Sequence, residues 1–256
     1  MNNIAIITGA SSGLGKQFVK TIIHEYPNLK EIWIIARRAE RLQQLAELYS
    51  QVKIRAIPLD LSKEDSYEEF AEILKEKSPQ IRIVINNAGL EKDGTFEKMN
   101  LSDLKDMVDV NIMGVTAISR LCFPYMNKGS FMIVTGSVSS FVPIPKQAVY
   151  SSTKSYISFL CRVLHEEMKK KNVNVCLLNP GNMDTEMNIR DSSESQGKMG
   201  IHLPYLNLEQ VTKKTLKKAQ AGKSVYTPGA FYKFYRLVSK IFPISFMMNF
   251  TKRYYK

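Results

Sequence analysis

The sequence has 256 residues, 44% of them hydrophobic and 23% charged, which excludes a disordered or fibrous chain and is typical of one globular domain. Three cysteines without a CxxC pair exclude a disulfide framework, and without a leader or an apolar run of ~20 residues we expect a cytoplasmic protein. The net charge is +12, and residues 201–256 hold eleven Lys or Arg against the single acid Glu209, so a basic surface is expected at the C-terminus.

Short β-branched segments alternate with longer amphipathic segments along the chain. The predicted strands are Ile4–Ile7, Ile32–Ile35, Val52–Ile57, Ile81–Ile85, Phe131–Val134, Val173–Leu178 and Ser224–Tyr226. The predicted helices span 13–26, 38–49, 63–77, 102–127, 147–171 and 207–221. Nearly continuous apolar strands separated by helices are typical of a parallel sheet covered on both faces. The sequence therefore predicts one doubly wound α/β domain over residues 1–256, with a substrate lid at 183–206 and a basic aromatic extension at 229–256.

A glycine-rich turn with the spacing G-x-x-x-G-x-G follows the first predicted strand and opens the first helix. Glycines allow a tight turn that a pyrophosphate can approach, and the helix N-terminus offers free N–H groups and partial positive charge. A purely structural turn is the alternative, but the position directly after the first strand favours dinucleotide binding. The predicted contacts are Gly9, Ser11, Ser12, Gly13, Leu14 and Gly15.

The second predicted strand ends in Ala36, Arg37 and Arg38, about 20 residues past the glycines, where dinucleotide folds place an acid. A carboxylate at this point repels a 2′-phosphate, whereas a guanidinium pairs with it. NADP(H) is therefore the predicted cofactor, with Arg37 favoured over Arg38 as the contact. Two arginines that merely open a helix are the alternative, which is disfavoured because cations oppose the helix dipole there.

Tyr150 and Lys154 lie four residues apart in a predicted helix, so their side chains share one face. An ammonium group stabilises a phenolate, so we expect it to lower the tyrosine pKa from ~10 towards working pH. Such a tyrosine can act as a general acid and base. Because this spacing is common by chance, the interpretation depends on other motifs. Ser137 precedes Tyr150 by thirteen residues, directly after a predicted strand.

These motifs, which run in order from residue 4 to about 185, resemble the short-chain dehydrogenase/reductase family. The resemblance implies a Rossmann fold with seven parallel strands, and NADP(H)-dependent interconversion of a ketone or aldehyde and a secondary alcohol. It implies that Ser137 holds the substrate oxygen and that Asn111 completes a proton relay to Lys154 through a water. It implies cofactor contacts at Asp60, Leu61, Asn87, Ala88, Gly89, Tyr150, Lys154, Pro180, Gly181, Met183 and Thr185.

Some of these assignments have structural alternatives. Asp60 can instead be an N-cap neighbour, and Asn111 can be a solvent-facing residue in a helix. Ser140 stands where the family usually has a glycine, which is a departure near the substrate site. The histidines at 24, 165 and 202 have no metal-ligand spacing, so no metal is expected, although His202 lies in the lid segment.

Apolar residues after Ser137 and methionines in the lid segment indicate an adaptable apolar pocket, with lid packing as the alternative. We expect a steroid-, fatty-acyl- or terpenoid-like substrate, and no acid or base cluster for a charged head group. The predicted substrate contacts are Ser137, Val138, Ser139, Phe141, Tyr150 and Met187. The rival functions are a non-catalytic NADP sensor of the same fold and a reductase of polar hydroxy acids or sugars.

The extension mixes aromatic residues with lysine and arginine, a composition with more than one interpretation. It can close over the substrate site, pack on a subunit or lie on an anionic membrane surface. Nucleic acid is not an expected partner, because net charge alone is weak evidence for it. The family resemblance implies a homodimer or homotetramer that pairs through helices 102–127 and 147–171.

Overall fold

One sheet of seven parallel strands forms the centre of the computed structural model, which describes residues 3–185 and 203–254. The strands are β1 (Asn3–Thr8), β2 (Glu31–Ala36), β3 (Ile54–Pro58), β4 (Gln80–Asn86), β5 (Met126–Thr135), β6 (Asn174–Leu178) and β7 (Val225–Tyr226). Their order is β3-β2-β1-β4-β5-β6-β7, with parallel pairing throughout. The order reverses between β1 and β4, and sheets of this kind bind ligands at the carboxyl ends of the strands on either side of that reversal.

Helices cover both faces of the sheet. They are α1 (Gly13–Glu25), α2 (Ala39–Leu48), α3 (Asp65–Lys77), α4 (Leu101–Val108), α5 (Val115–Cys122), α6 (Ala148–Met168), α7 (Leu208–Gln220), α8 (Ala230–Ile241) and α9 (Ile244–Tyr254). Apolar residues of α1, α2 and α7 form one buried cluster with the sheet, and those of α3, α5 and α6 form the other. The doubly wound Rossmann fold predicted from the sequence is thus confirmed.

None of the helices in the described part of the chain has the length and apolar character needed to span a membrane.

The helix predicted over 102–127 is interrupted and ends early. A π-helical segment at Asp109–Gly114 separates α4 from α5, and a 3₁₀ turn at Phe123–Tyr125 leads into β5. The predicted start of β5 at Phe131 is therefore five residues too late. The pairing of β5 with β4 shifts register before Phe131, and Gly129 has a φ of +85°. This irregular, partly exposed start has no regular apolar alternation, which is why the pattern did not reveal it.

The other predicted elements match the structure to within about two residues at most of their ends. The sequence predicted no element in two segments, 183–206 and 229–256. The extension, for which no element was predicted, forms α8 and α9. The lid segment lies mostly outside the described residues, including Met187 and His202, but its two ends are described. Met183 and Leu206 form an isolated parallel β-bridge, so the chain leaves and returns at the same place.

Candidate active site

In the glycine turn between β1 and α1, Gly15 packs against the backbone of Gly9. The N-terminus of α1 borders a cavity. Gly9 and Gly13 have φ values of +66° and +49°, a region that favours glycine. A Cβ at Gly15 would lie 2.1 Å from the Gly9 carbonyl oxygen. Five of the six predicted loop residues line the cavity, whereas Gly15 packs against the Gly9 backbone and is not part of the lining.

Positive charge lies beside this turn. The Arg38 guanidinium donates hydrogen bonds to Ser11 Oγ (3.1 Å) and Ser12 Oγ (3.2 Å), which draws it onto the loop. Arg37 and Arg38 are both exposed and both line the cavity. The structure thus holds Arg38, rather than Arg37, against the loop hydroxyls. Two guanidinium groups next to open helix N–H groups fit the 2′-phosphate and pyrophosphate of NADP(H).

A continuous cavity of about 570 Å³ runs from the glycine turn to Tyr150. Predicted cofactor residues that line it are Asp60, Leu61, Asn87, Ala88, Gly89, Lys154, Pro180, Gly181, Met183 and Thr185. One oxygen of Asp60 accepts hydrogen bonds from Ser62 N (3.1 Å) and Ser62 Oγ (2.8 Å), so this carboxylate also shapes its own turn. The lining thus includes both the glycine turn and the surroundings of Tyr150, the two regions that the NADP(H) prediction brings together.

Side-chain hydrogen bonds join the strand ends beneath this cavity. Thr8 Oγ1 accepts from the backbone N–H groups of Asn87 and Ala88, each at 2.9 Å. Asn87 Nδ2 donates to the Thr8 carbonyl oxygen (3.2 Å), and Thr135 Oγ1 donates to Asn87 Oδ1 (3.2 Å). The carboxyl ends of β1, β4 and β5 are therefore held in one fixed arrangement, from which Lys154 is also anchored.

Tyr150 and Lys154 occupy the first turns of α6 and are almost fully buried, with 7% and 4% of their surface exposed. Lys154 Nζ donates to the Thr135 carbonyl oxygen (3.1 Å) and lies 5.6 Å from the centre of the Tyr150 ring. Burial lowers the pKa of Lys154 to about 8, although the negative charge of Glu91 opposes this shift. An ammonium group is therefore held beside the phenol, with a pKa near neutral pH.

Ser137 faces Tyr150 from the turn that follows β5. Its hydroxyl donates to Ser139 Oγ and accepts from Ser139 N, both at 3.1 Å, and it lies close enough to Tyr150 to affect the tyrosine pKa. The hydroxyl groups of Ser137 and Tyr150 therefore lie together at the inner end of the cavity. Two converging O–H groups are suited to hold one carbonyl oxygen.

The expected lowering of the Tyr150 pKa is wrong for this structure. Burial raises the pKa of Tyr150 well above 10, and the nearby carboxylates of Glu91 and Asp93 raise it further, while the nearby Ser137 hydroxyl opposes them. Desolvation on burial disfavours the charged phenolate. Tyr150 is consequently a neutral phenol with a proton to donate.

Glu91 is a site residue that the sequence motifs missed. Gln147 Nε2 donates to Glu91 Oε1 (2.7 Å) and to Asp93 Oδ2 (3.2 Å), and Gln147 is itself buried. Glu91 lines the cavity, and its carboxylate raises the pKa of Tyr150. The expectation that no acid cluster reaches the substrate site is therefore corrected. Its position two residues after Gly89, at the same strand end, was the available signal.

Asn111 is fully buried in the π-helical segment, which excludes the solvent-facing alternative. Its amide donates to the Leu90 carbonyl oxygen and accepts from Leu90 N, both at 2.8 Å, and donates to Thr153 Oγ1 (3.1 Å). A Cβ at Gly89 would lie 3.3 Å from Asn111 Oδ1 and 3.4 Å from Lys154 Nζ. Asn111 therefore fixes both the loop that carries Glu91 and the helix that carries Tyr150.

The C-terminal extension forms one wall of the cavity. Phe231, Tyr232, Tyr235 and Thr251 line it, so the extension packs over the site, as one of its three interpretations proposed. The Tyr232 hydroxyl donates to the Pro204 carbonyl oxygen (2.8 Å) and accepts from Asn182 N (3.0 Å). A Cβ at Gly181 would lie 2.0 Å from the Tyr232 ring, so glycine is required there by the ring that covers it.

Only some of the predicted substrate residues belong to the cavity lining. Val138, Ser139 and Ser137 line the cavity. Phe141 is not part of this lining, and its ring centre lies 6.2 Å from that of Tyr235, which is. Met187 lies outside the described residues.

Comparison with known proteins identifies the family. The family model for short chain dehydrogenases matches residues 3–196. An uncharacterized oxidoreductase of Staphylococcus aureus strain USA300 is 28% identical over 186 residues, which are 72% of this chain and 79% of the relative. These matches define an oxidoreductase class, and the chain belongs to the short-chain dehydrogenase family, as its motifs indicated.

Solved structures agree with this fold. A short-chain dehydrogenase/reductase from Serratia marcescens BCRC 10948 matches with a TM-score of 0.77 at 26% identity, over 89% of this chain and 96% of that chain. A short chain dehydrogenase from Burkholderia cenocepacia J2315, in complex with NADP, matches with a TM-score of 0.76 at 21% identity over the same shares. The family model ends before α7, so α8 and α9 lie beyond the matched segment.

The contact between Glu91 and Tyr150 predicts a pH effect. In Glu91→Gln, a negative charge that raises the Tyr150 pKa is lost, while an amide oxygen that can still accept a hydrogen bond remains, so this pKa falls. If Tyr150 is the general base in the oxidation of an alcohol, the rise of kcat/KM with pH in that direction shifts to lower pH. The measurement is the pH dependence of kcat/KM for both variant and parent. Glu97→Gln, an exposed acid nearby, should leave the profile in place. A shift to higher pH in Glu91→Gln contradicts the assignment.

Proposed function

We propose that this protein interconverts a carbonyl compound and a secondary alcohol with NADP(H) as cofactor. The observation that carries the proposal is the buried pair of hydroxyl groups, Tyr150 and Ser137, at the inner end of a cavity that begins at a phosphate-binding turn. When bound, NADP(H) supplies or accepts the hydride. The chain must therefore hold the substrate oxygen and move one proton.

The residues divide that work among them. In the reducing direction, Ser137 and Tyr150 hold the carbonyl oxygen, and burial makes their hydrogen bonds stronger as negative charge develops there. Tyr150, which its raised pKa keeps protonated, donates its proton. Lys154, fixed on Thr135, stabilises the phenolate that remains. A water held by Asn111 then returns a proton through Lys154, and the oxidising direction reverses these steps.

A hydrophobic, uncharged substrate fits this site best. The outer wall of the cavity includes Val138, Ile144, Leu203, Phe231 and Tyr235, which favour a steroid-, fatty-acyl- or terpenoid-like compound over a sugar. The inner end carries the negative charge of Glu91. A hydroxy-acid carboxylate placed beside it would be repelled, so this rival substrate class is disfavoured.

The non-catalytic alternative is an NADP sensor. An enzyme must transfer a proton, whereas a sensor need not. Binding NADP(H) requires the turn and the arginines, but not a phenol, an ammonium and a hydroxyl brought together at the end of the cavity. The buried Lys154 beside the buried Tyr150 costs desolvation free energy that binding alone does not require. This arrangement therefore favours an enzyme.

Removal of the Tyr150 hydroxyl tests the proposed reaction. Tyr150→Phe should lower kcat by at least about 100-fold, because the general acid is lost, and should keep NADPH affinity. The measurement is NADPH absorbance during a screen of hydrophobic ketones, with fluorescence titration of NADPH for binding. Tyr156→Phe, which removes a phenol further along the same helix, is the matched control and should keep full turnover. Turnover that survives in Tyr150→Phe removes the proposal.

The arginines test the cofactor preference. Arg37→Ala and Arg38→Ala should each weaken NADPH binding by about tenfold or more, because each loses charge-assisted hydrogen bonds to the 2′-phosphate. NADH lacks this phosphate, so its affinity should change little. Arg120→Ala, an exposed arginine on α5, is the control variant. If both site variants keep the parent affinity for NADPH, the preference for NADP(H) is wrong.

We also propose a cytoplasmic homodimer, paired through α4, α5 and α6. The exposed fractions of Leu101 (81%), Phe159 (76%) and Val163 (54%) leave large apolar side chains uncovered on these helices. Such side chains are normally covered by a partner. The free thiols of Cys122, Cys161 and Cys176 are all buried, which fits a reducing compartment.

A charge placed on this helical face tests the dimer. Phe159→Glu should convert a dimer into a monomer, because a carboxylate cannot be buried against a second copy without a large desolvation cost. Light scattering coupled to gel filtration gives the mass. Leu48→Glu, on the exposed end of α2, should leave the mass unchanged. A parent protein that is already monomeric rules out the pairing.

A further inference from the structure

The outer face of α8 is apolar, although α8 already buries another face against the cavity. Tyr232 is buried and Tyr235 is half-buried on the inner side. Phe234, Leu237 and Ile241, spaced three and four residues apart, share the opposite side and are 65%, 55% and 67% exposed. Exposed apolar residues in helical register on an outer face are not needed for packing this domain.

The next residues extend this apolar surface into α9. Phe242, Ile244 and Phe246 are 44%, 59% and 57% exposed. The rings of Phe242 and Phe246 stack with their centres 5.1 Å apart. These three residues and the three of α8, which lie close together along the chain, are called here the outer apolar face. Groups of exposed large apolar side chains can mark an interaction site.

Lysines lie beside this face, and the end of the chain is rich in positive charge. The sequence has no acid after Glu209, while eleven Lys or Arg follow it. Lys233 and Lys240 are exposed and lie two helical turns apart, so they form a row beside Phe234 and Leu237. The partner that this face fits is therefore apolar in part and negatively charged in part.

We propose that the outer apolar face docks on the surface of an anionic lipid bilayer. Aromatic and aliphatic side chains enter the boundary between headgroups and acyl chains, while lysines at the edge pair with anionic headgroups. A second copy of this chain is a poorer occupant, because it brings the same positive charge to the contact. An anionic bilayer supplies both the apolar volume and the negative charge.

The cavity lies directly behind this face. Phe231 and Tyr235 line the cavity from the same helix whose outer side carries Phe234 and Leu237. A docked protein thus presents its substrate site at the membrane surface. This consequence rests on the proposed hydrophobic substrate, which would then enter from the bilayer, whereas docking itself requires no catalysis.

Vesicle co-sedimentation of the full chain tests docking. One set of vesicles contains phosphatidylcholine mixed with phosphatidylglycerol, and the other contains phosphatidylcholine alone. We expect sedimentation with the anionic vesicles at low salt, a marked loss at high salt, and little binding to the neutral vesicles. Absence of binding to anionic vesicles at low salt overturns the proposal, and so does equal binding to neutral vesicles.

Variants locate the contact on the molecule. Leu237→Glu should reduce binding by at least about tenfold, because a leucine that inserts into the bilayer on docking is replaced by a charged residue. Lys233→Gln and Lys240→Gln should each reduce it by about fivefold. Leu48→Glu, in which a similarly exposed leucine on α2 is changed, should bind like the parent. Unchanged binding of Leu237→Glu and of the two lysine variants together overturns the assignment to this face.

Two further measurements separate the alternatives. NADPH titration of each variant shows that the fold is kept, and if Leu237→Glu does not fold, the surface lysine variants decide. Light scattering identifies self-association: a lower mass for Leu237→Glu with unchanged vesicle binding assigns the face to a second copy and overturns docking. Because sedimentation involves no turnover, failure of docking and failure of the proposed reaction are distinguishable.

Discussion

Two hydrogen bonds to one threonine determine the geometry on which the site depends. Thr8, the last residue of β1, accepts from the backbone N–H groups of Asn87 and Ala88 at the end of β4. This fixes the two strands between which the sheet reverses its order. The glycine turn continues from one strand and the segment up to Glu91 continues from the other. A shift at this junction would therefore move the phosphate-binding turn relative to the proton-transfer groups.

The electrostatics of the site follow from burial more than from pairing. Burial raises the pKa of Tyr150 and lowers that of Lys154, which disfavours the charged form of both. Glu91 then opposes the shift of Lys154 but adds to that of Tyr150. The combination keeps a proton on the phenol and leaves the lysine with a pKa of about 8. A neutral donor beside a readily titrated base is a suitable start for a proton relay.

Sequence patterns predicted most of the fold because parallel strands in a doubly wound sheet are continuous apolar runs. They failed at β5, where an irregular start carries polar, exposed residues before Phe131. They found Tyr150 and Ser137 because those residues stand at fixed offsets. They did not reveal Glu91 or Tyr232, because the positions of these residues depend on tertiary contacts. Glu91 accepts a hydrogen bond from Gln147, and the Tyr232 ring packs where Gly181 has no side chain.

In the C-terminal extension, α8 lines the cavity with one side and exposes apolar residues on the other. On its inner side, Tyr232 spans from Asn182 N to the Pro204 carbonyl oxygen, so α8 is anchored to both ends of the lid segment. These two hydrogen bonds fix the orientation of α8. Because Tyr232 faces the core, Phe234 and Leu237 lie on the side of the helix that faces away from it. The exposure of these residues is thus enforced by specific contacts rather than by weak packing. This outer side, with the exposed Lys233 and Lys240 beside it, is the surface that we propose docks on an anionic bilayer.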